Sequence, residues 1–272
     1  MVKPPTRRSA AGFSQSIERG LAVLASFRSN SPLLGVSELA RGLGLSISTT
    51  HRYVTTLADL GYLEQDRASR KYRLGPRVLD LGFAAINSMD LRGIANPHLQ
   101  QLSEETGYTV NMAVLDDVEI VYVERCRSRR AGQREIDLDL HIGARLPAYC
   151  TSMGKVLLAS RPDSEVRALI ARMQLRKRGP NTLTAKSALM AELERVRRDG
   201  IAVNNEELAY GLRSIAAPVR NRSGEVVAAI NLAVHRSMGI SSTDEVVSRL
   251  GPVLRRTAST ISARIGYVPS AS

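Results

Sequence analysis

The chain has 272 residues, 43% of them apolar, which suffices for two packed domains and argues against disorder along the whole chain. Trp is absent and aromatics reach only 4%, so the cores must be aliphatic, and two cysteines, Cys126 and Cys150, support neither a disulfide framework nor a cysteine-rich zinc site. The formal charge is +12, and residues 1–75, with 11 Lys/Arg against 5 Asp/Glu, hold half of it, a bias that suits a polyanion such as DNA.

Residues 1–13 are basic and rich in small residues, without the apolar stretch of a signal peptide, and are expected to form a disordered arm. Ile17, Leu21, Leu24 and Phe27 then recur at helical spacing, with Ser16 as the expected N-cap and Asn30-Ser31-Pro32 as the stop. A second short helix carries Val36, Leu39, Ala40 and Leu43, and Gly44 supplies the positive φ of a tight turn. A third helix starts at Ser46, with Ile47, Val54, Leu57 and Leu60 expected on its buried face. Helix, short glycine turn, helix is the helix-turn-helix layout.

The other face of the third helix shows Ser48, Thr49, His51, Arg52 and Thr55, side chains that suit base edges and phosphates, while Ser46 and the first helical N–H groups suit a phosphate. Residues 62–65 and 71–74 alternate as two strands, a wing whose tip carries Arg67, Arg70 and Lys71 toward phosphate or minor groove. Domain 14–75 therefore reads as a winged helix-turn-helix that binds double-stranded DNA. From Pro76, Val78, Leu79, Leu81 and Phe83 stripe a linker helix over 76–89 whose apolar side is expected to pair with a second subunit.

Residues 90–267 read as an effector-binding and oligomerisation domain. A helix from Asp90 is expected to kink or split at Pro97. Residues 109–115 and 119–125 form a hairpin around Asp116-Asp117, residues 138–149 look extended, and helices follow over 152–160, 163–172 and 185–199. A short strand at 201–203, a hairpin of 213–219 and 226–234, and a closing helix over 242–265, with a kink or split at Gly251-Pro252, complete an α+β domain with an antiparallel sheet.

The ordered set Ser16-Ile17-Glu18-Arg19-Gly20-Leu21, Ser37-Glu38-Leu39-Ala40, Gly44-Leu45-Ser46, Gly61-Tyr62-Leu63 and Tyr72-Arg73-Leu74-Gly75 resembles the IclR family of bacterial regulators. Residues 76–83 and 146–154 are similar to its PcaR/PcaU/PobR branch, which controls aromatic-acid catabolism. The resemblance implies a GAF-like effector domain, with Glu206, Gly211 and residues 215–219 fitting the family's C-terminal signature. It also implies a homodimer, or a dimer of dimers, on DNA.

Three segments are expected to converge on a pocket: the helix start at Tyr149, Thr151, Ser152 and Met153, the strand at Leu212, Arg213 and Ser214, and the strand bearing Asn231 and Ala233. The resemblance implies effector contacts at Ser152, Met153, Asn204, Ser214 and Asn231. A helix N-terminus suits a carboxylate, and Arg145 and Arg213 are candidates to pair with one. Arg125, Arg127, Arg129 and Arg130 read as a solvated loop, with contact to DNA or acidic partners as the alternative. Ser152-Met153-Gly154-Lys155 spells S-x-x-K, but the accompanying S-D-N and K-T-G elements of penicillin-recognising enzymes are missing. His51, His98, His141 and His235 lack ligand spacing, so no metal or cofactor is expected. The longest apolar run, 226–234, is too short to span a bilayer, and reduced thiols fit the cytoplasm.

The expected function is a sequence-specific, effector-modulated transcription regulator sensing a small organic acid such as an aromatic carboxylate. Its rivals are a regulator sensing a non-aromatic or sugar acid, an enzyme with a DNA-binding appendage, and a ligand-independent DNA binder. Repression and activation both stay open.

Overall fold

The computed structural model describes residues 13–28, 31–81, 90–127, 140–235 and 242–268, and the chain divides into two compact units, Met1–Ser88 and Met89–Ser272. The expected arm lies almost wholly outside the described residues, as do positions 82–89 of the linker; residues 77–81 are helical.

In the first unit, α1 (Gln15–Leu24), α2 (Val36–Leu43) and α3 (Ile47–Asp59) pack with the hairpin of β1 (Leu63–Gln65) and β2 (Tyr72–Leu74). Their shared core is Val23, Phe27, Leu39, Val54, Leu63 and Tyr72. The expected faces of two helices need correction. Helix α1 is capped by Ser14, not Ser16, ends at Leu24, and leaves Ile17 and Leu21 about two-thirds exposed. In α3, Ile47 and Leu60 sit at the helix ends, past the edge of so small a core, and are exposed. Thr50 is buried in their place, its hydroxyl satisfied by the Ser46 carbonyl at 3.0 Å. Gly44 closes α2 at φ 66°, the left-handed cap that the turn required. The two wing strands each form one residue shorter than expected, and Leu34 bridges Tyr72 as a third edge.

The second unit is a six-stranded antiparallel sheet in the order β5-β4-β3-β8-β7-β6, built from β3 (Thr109–Asp116), β4 (Glu119–Cys126), β5 (Arg145–Pro147), β6 (Ala202–Asn205), β7 (Leu212–Arg220) and β8 (Val226–His235). One face packs Val110, Met112, Ile215, Ala217, Ile230 and Leu232 against α4 (Asp90–Thr106) and α8 (Thr243–Arg264). The other packs Ala113, Ile120, Ala216 and Ala229 against α5 (Ser152–Ala159), α6 (Asp163–Arg172) and α7 (Lys186–Asp199).

Neither Pro97 in α4 nor Pro252 in α8 splits its helix. Proline in a helix interior costs about 3 kcal/mol, whereas each fully buried Leu or Ile contributes roughly 1.5–3 kcal/mol. Leu99 and Leu102 in α4, and Leu254 and Ile261 in α8, are at most 1% exposed, so burial outweighs the break. Of the extended structure expected over 138–149, the described residues 140–149 form a strand only at β5, and Ala148–Cys150 is a 3-10 turn.

Strand β4 carries a bulge opposite β3. Met112 pairs with Glu124 and Ala113 with Tyr122, so Val123 is the extra residue. Val123 joins the α4/α8 core, and Glu124, buried on that side, pairs with Arg92 of α4 at 2.8 Å. Tyr122 and Arg125, three apart, consequently share the opposite face, which simple alternation forbids.

Candidate functional site

The DNA-reading candidates lie where the first unit positions α3 and the wing. Ser46 caps α3 by accepting from the Thr49 amide at 3.2 Å, and its hydroxyl also bonds the Thr49 and Ser48 hydroxyls at 2.8 and 3.1 Å. Ser48, His51, Arg52 and Thr55 are exposed, Thr49 is half-buried, and His51 and Thr55 lie 3.5 Å apart. The Arg52 guanidinium makes no hydrogen bond or ion pair among the described residues, so it is available to a partner.

At the wing tip, Asp66 accepts from the Ser69 amide and hydroxyl at 2.8 and 2.6 Å, and Arg70 adopts φ 58°. Those bonds hold the Asp66 carboxyl below its usual range. Arg67 and Arg70 project exposed side chains. Lys71 differs: its Nζ is drawn back to Glu38 of α2 at 3.1 Å, and Glu38 in turn holds the Gly35 amide at 2.6 Å.

In the second unit a cavity of about 30 Å³ lies between the sheet and the start of α5. Its lining is Asn111, Tyr122, Leu140, Thr151, Asn204, Leu208, Leu212, Ser214, Asn231 and Ala233. The strand register gathers these residues. Asn204, Ser214, Ala233 and Thr109 form one row across β6, β7, β8 and β3, and Ala216, Asn231, Asn111 and Arg125 form the next. Within the second row, Arg125 Nη1 donates to Asn111 Oδ1 at 2.9 Å and Asn111 Nδ2 donates to Asn231 Oδ1 at 2.8 Å.

The helix end is built as tightly. Thr151 caps α5 by accepting from the Gly154 amide at 3.1 Å, leaving the amides of Ser152 and Met153, the first two of the helix, without an intrahelical acceptor. Gly154 presses on the 3-10 turn so closely that a Cβ there would stand 2.2 Å from the Ala148 carbonyl oxygen. Asn204 ties the same region together, donating to the Cys150 carbonyl at 2.8 Å and accepting from the Glu207 amide at 3.0 Å.

Of the ten residues expected at the effector site, Thr151, Asn204, Leu212, Ser214, Asn231 and Ala233 line the cavity. Ser152 stands one bond behind it, its hydroxyl 2.7 Å from that of Ser214. Tyr149 and Met153 are not in the lining: the Tyr149 hydroxyl donates to the Arg176 carbonyl at 2.7 Å, and Met153 is wholly buried in the core beneath the sheet. Arg145 and Arg213 turn elsewhere. Arg145 pairs with Asp116 and Glu119, and Arg213 lies near Asn205 and Glu206. The cation beside the cavity is Arg125, which belongs to β4 and not to a solvated loop; Arg129 and Arg130 lie outside the described residues.

Sequence reading missed Asn111, Tyr122, Leu140 and Leu208. Asn111 carried a usable signal, a polar residue at an inward position of an apolar strand, as Asn231 did. Tyr122 was hidden by the bulge. Its phenol, pushed up to about 12 by burial against the opposing influence of Arg125, stays protonated, and its hydroxyl makes no hydrogen bond among the described residues.

Behind α5, Lys155 is 1% exposed and its Nζ donates to Glu207 at 2.6 Å, Glu192 at 3.0 Å and the Val203 carbonyl at 2.5 Å. Burial pushes the Glu207 carboxyl up despite Lys155, and Glu207 Oε2 is buried without a hydrogen bond among the described residues. Cys126 and Cys150 are unlinked and buried, their thiols raised to about 11 and about 12, which makes them poor nucleophiles.

Residues 16–67 match the IclR helix-turn-helix domain, and residues 83–263 match the bacterial transcriptional regulator IclR C-terminal domain. The chain belongs to the IclR family. It is a transcription regulator of that family, with a helix-turn-helix unit and an effector unit. Among family relatives, the Pca regulon regulatory protein of Pseudomonas putida is 36% identical, over 93% of this chain and 87% of its own length. This agrees with the resemblance to the PcaR branch. The regulator XynR of Escherichia coli K12 is 34% identical over 93% of this chain and 98% of its own. An IclR homologue from Microbacterium hydrocarbonoxydans, solved with 4-hydroxybenzoate, superposes with a TM-score of 0.78 at 25% identity, covering 92% of this chain and 98% of its own. No helix among the described residues is long and apolar enough to cross a membrane.

Proposed function

We propose that this regulator binds a double-stranded DNA operator through α3 and the wing and is modulated by a small organic acid, an aromatic carboxylate, held in the cavity between α5 and the sheet. The observation that carries the ligand reading is the cavity's chemistry. Amide and hydroxyl groups on Asn111, Tyr122, Ser214 and Asn231 face leucines 140, 208 and 212. A few placed polar groups in an apolar wall suit a flat amphiphilic acid. The 4-hydroxybenzoate bound by the Microbacterium homologue and the Pca regulon relative point the same way.

At about 30 Å³ the cavity holds a water molecule or two, so an aromatic acid must part the lining side chains to enter. A ligand that binds only the opened arrangement shifts the population toward it, which is the requirement for an effector to act at a distance. The same small volume favours, as a second reading, an aliphatic acid smaller than benzoate.

On the DNA side, the assigned contacts are Ser46, Ser48, Thr49, His51, Arg52, Thr55, Arg67 and Arg70, with Lys71 joining if it leaves Glu38. The proposed domain plan is a DNA-binding unit over 14–75, a linker helix over 76–89 and an effector and oligomerisation domain over 90–267, acting as a homodimer or a dimer of dimers. The exposed apolar residues Phe13, Ile17 and Leu21 of the first unit support self-association.

Thermal unfolding of the full chain with a panel of aromatic and aliphatic acids tests the ligand reading. A ligand at 100 times its dissociation constant adds about 2.7 kcal/mol and raises the midpoint of the unit that binds it. A shift with hydroxybenzoates, abolished by Asn231→Leu while operator binding persists, is the expected result. Shifts with aliphatic acids alone would replace the aromatic reading by the second one.

A further inference from the structure

We propose that Arg125 and Asn111 are positioning residues that hold the side-chain amide of Asn231 with its N–H edge toward the cavity, so that the effector group seated there is a carboxylate. This rests on the ligand reading above and narrows it to one end of the ligand.

The argument starts from a donor that cannot accept. A guanidinium carries five N–H donors and no acceptor. The Asn111 atom 2.9 Å from Arg125 Nη1 must therefore be Oδ1, which turns Asn111 Nδ2 toward Asn231, 2.8 Å away. Asn231 must answer with Oδ1, and its remaining group is the NH₂. Among the described residues that nitrogen makes no hydrogen bond, and Asn231 is 5% exposed and lines the cavity. The orientation of two amides, each able to flip in isolation, is thus decided by one cation two strands away.

The relay is also rigid. Arg125, Asn111 and Asn231 are direct cross-strand partners on β4, β3 and β8, so the backbone ladder sets their spacing. Each bond in such a chain polarises the next, and the charge at its head makes the terminal N–H a stronger donor than a lone amide. Tyr122, on the same face of β4 through the bulge, brings a protonated hydroxyl to the same cavity. A carboxylate has two acceptor oxygens to meet these donors, whereas a carboxamide brings an NH₂ that finds a donor already facing it.

The test is calorimetric titration of the full chain with two matched pairs, 4-hydroxybenzoate with 4-hydroxybenzamide and lactate with lactamide. The wild type is expected to bind the acid of at least one pair tenfold or more tighter than its amide, the difference a charge-assisted bond makes. Arg125→Met should reduce that ratio to below about threefold, because both asparagines are then free to turn over, and Arg125→Lys should restore it. A general structural role would weaken acid and amide together and leave the ratio intact. If Arg125→Met does not fold, Asn111→Leu, which cuts the relay one bond further on, carries the same expectation. A wild type that prefers either amide, or a ratio unchanged in the variant, overturns the proposal. Binding confined to the lactate pair would remove the aromatic reading and decide this one on that pair, and binding of neither acid would overturn both.

Discussion

Replacing Lys155 by methionine removes a buried ammonium while keeping most of the side chain's volume. The cavity term is therefore small, and the cost comes from the carboxylates left behind. Glu207 is 5% exposed and loses its bond of 2.6 Å, while Glu192 keeps Arg195 at 2.8 Å. Breaking a buried pair in this way costs about 3–5 kcal/mol. For a unit of this size that corresponds to a fall in melting temperature on the order of 10 °C. The loss should depend on pH. In the folded wild type Glu207 titrates above its ordinary 4.5, since burial outweighs Lys155. A carboxyl raised on folding binds its proton more tightly in the folded chain, so its contribution to stability falls as pH rises from 4.5 through the folded value. Without Lys155 that value climbs further and the window widens upward. The deficit of Lys155→Met should accordingly be larger at pH 8 than at pH 5, and adding Glu207→Gln should recover more than half of it at pH 8. Glu192 loses Lys155 in both variants and keeps Arg195 at 2.8 Å in both, so its contribution is common to the single and double variants and cancels between them. Melting curves of the two variants and the wild type at both pH values settle the matter. Equal deficits at the two pH values, or no recovery in the double variant, would refute the reasoning.

Four further substitutions probe the two sites. Arg52→Ala should weaken operator binding by about 1–3 kcal/mol if the guanidinium reads a base, and weaken all sequences alike if it meets phosphate; unchanged binding to both removes α3 as the reader. Arg70→Ala should lower the slope of log affinity against log salt by about one unit, whereas Lys71→Ala, already paired with Glu38, should change it less. Gly154→Ala must displace the Ala148 turn and should cost on the order of 1–3 kcal/mol, with loss of any ligand-induced melting shift; wild-type stability and response would show that the close contact is not needed.

What could be read from the sequence was mostly what is decided locally. Ser46 and Gly44 mark the ends of α3 and α2 because a cap hydroxyl and a positive φ depend on a few adjacent residues. The hairpin around Asp116-Asp117 follows from alternation and a turn in the same way. Burial of Ile17, Leu21 and Ile47 was misjudged because helical spacing names a face without saying what covers it. The fate of Pro97 and Pro252 depended on how much apolar surface each helix buries against a sheet made by distant strands. In the candidate cavity, Asn231 stands out as a polar interruption, but Tyr122 and Arg125 could not be placed together, since a bulge leaves no mark in the side-chain pattern. Arg213, a candidate to pair with an acid group, lies on the other side of its strand, near Glu206.

The bulge at Val123 decides the electrical sign of the cavity's neighbourhood. Were β4 to run in register past that point, Glu124 would stand opposite Asn111 and Arg125 would be driven into the apolar layer under α4. Composition would be untouched, yet an anion would flank the cavity where a cation now does. The charge beside this cavity is therefore a matter of strand phase, and inserting or deleting one residue in β4 would reverse it without changing any residue of the lining.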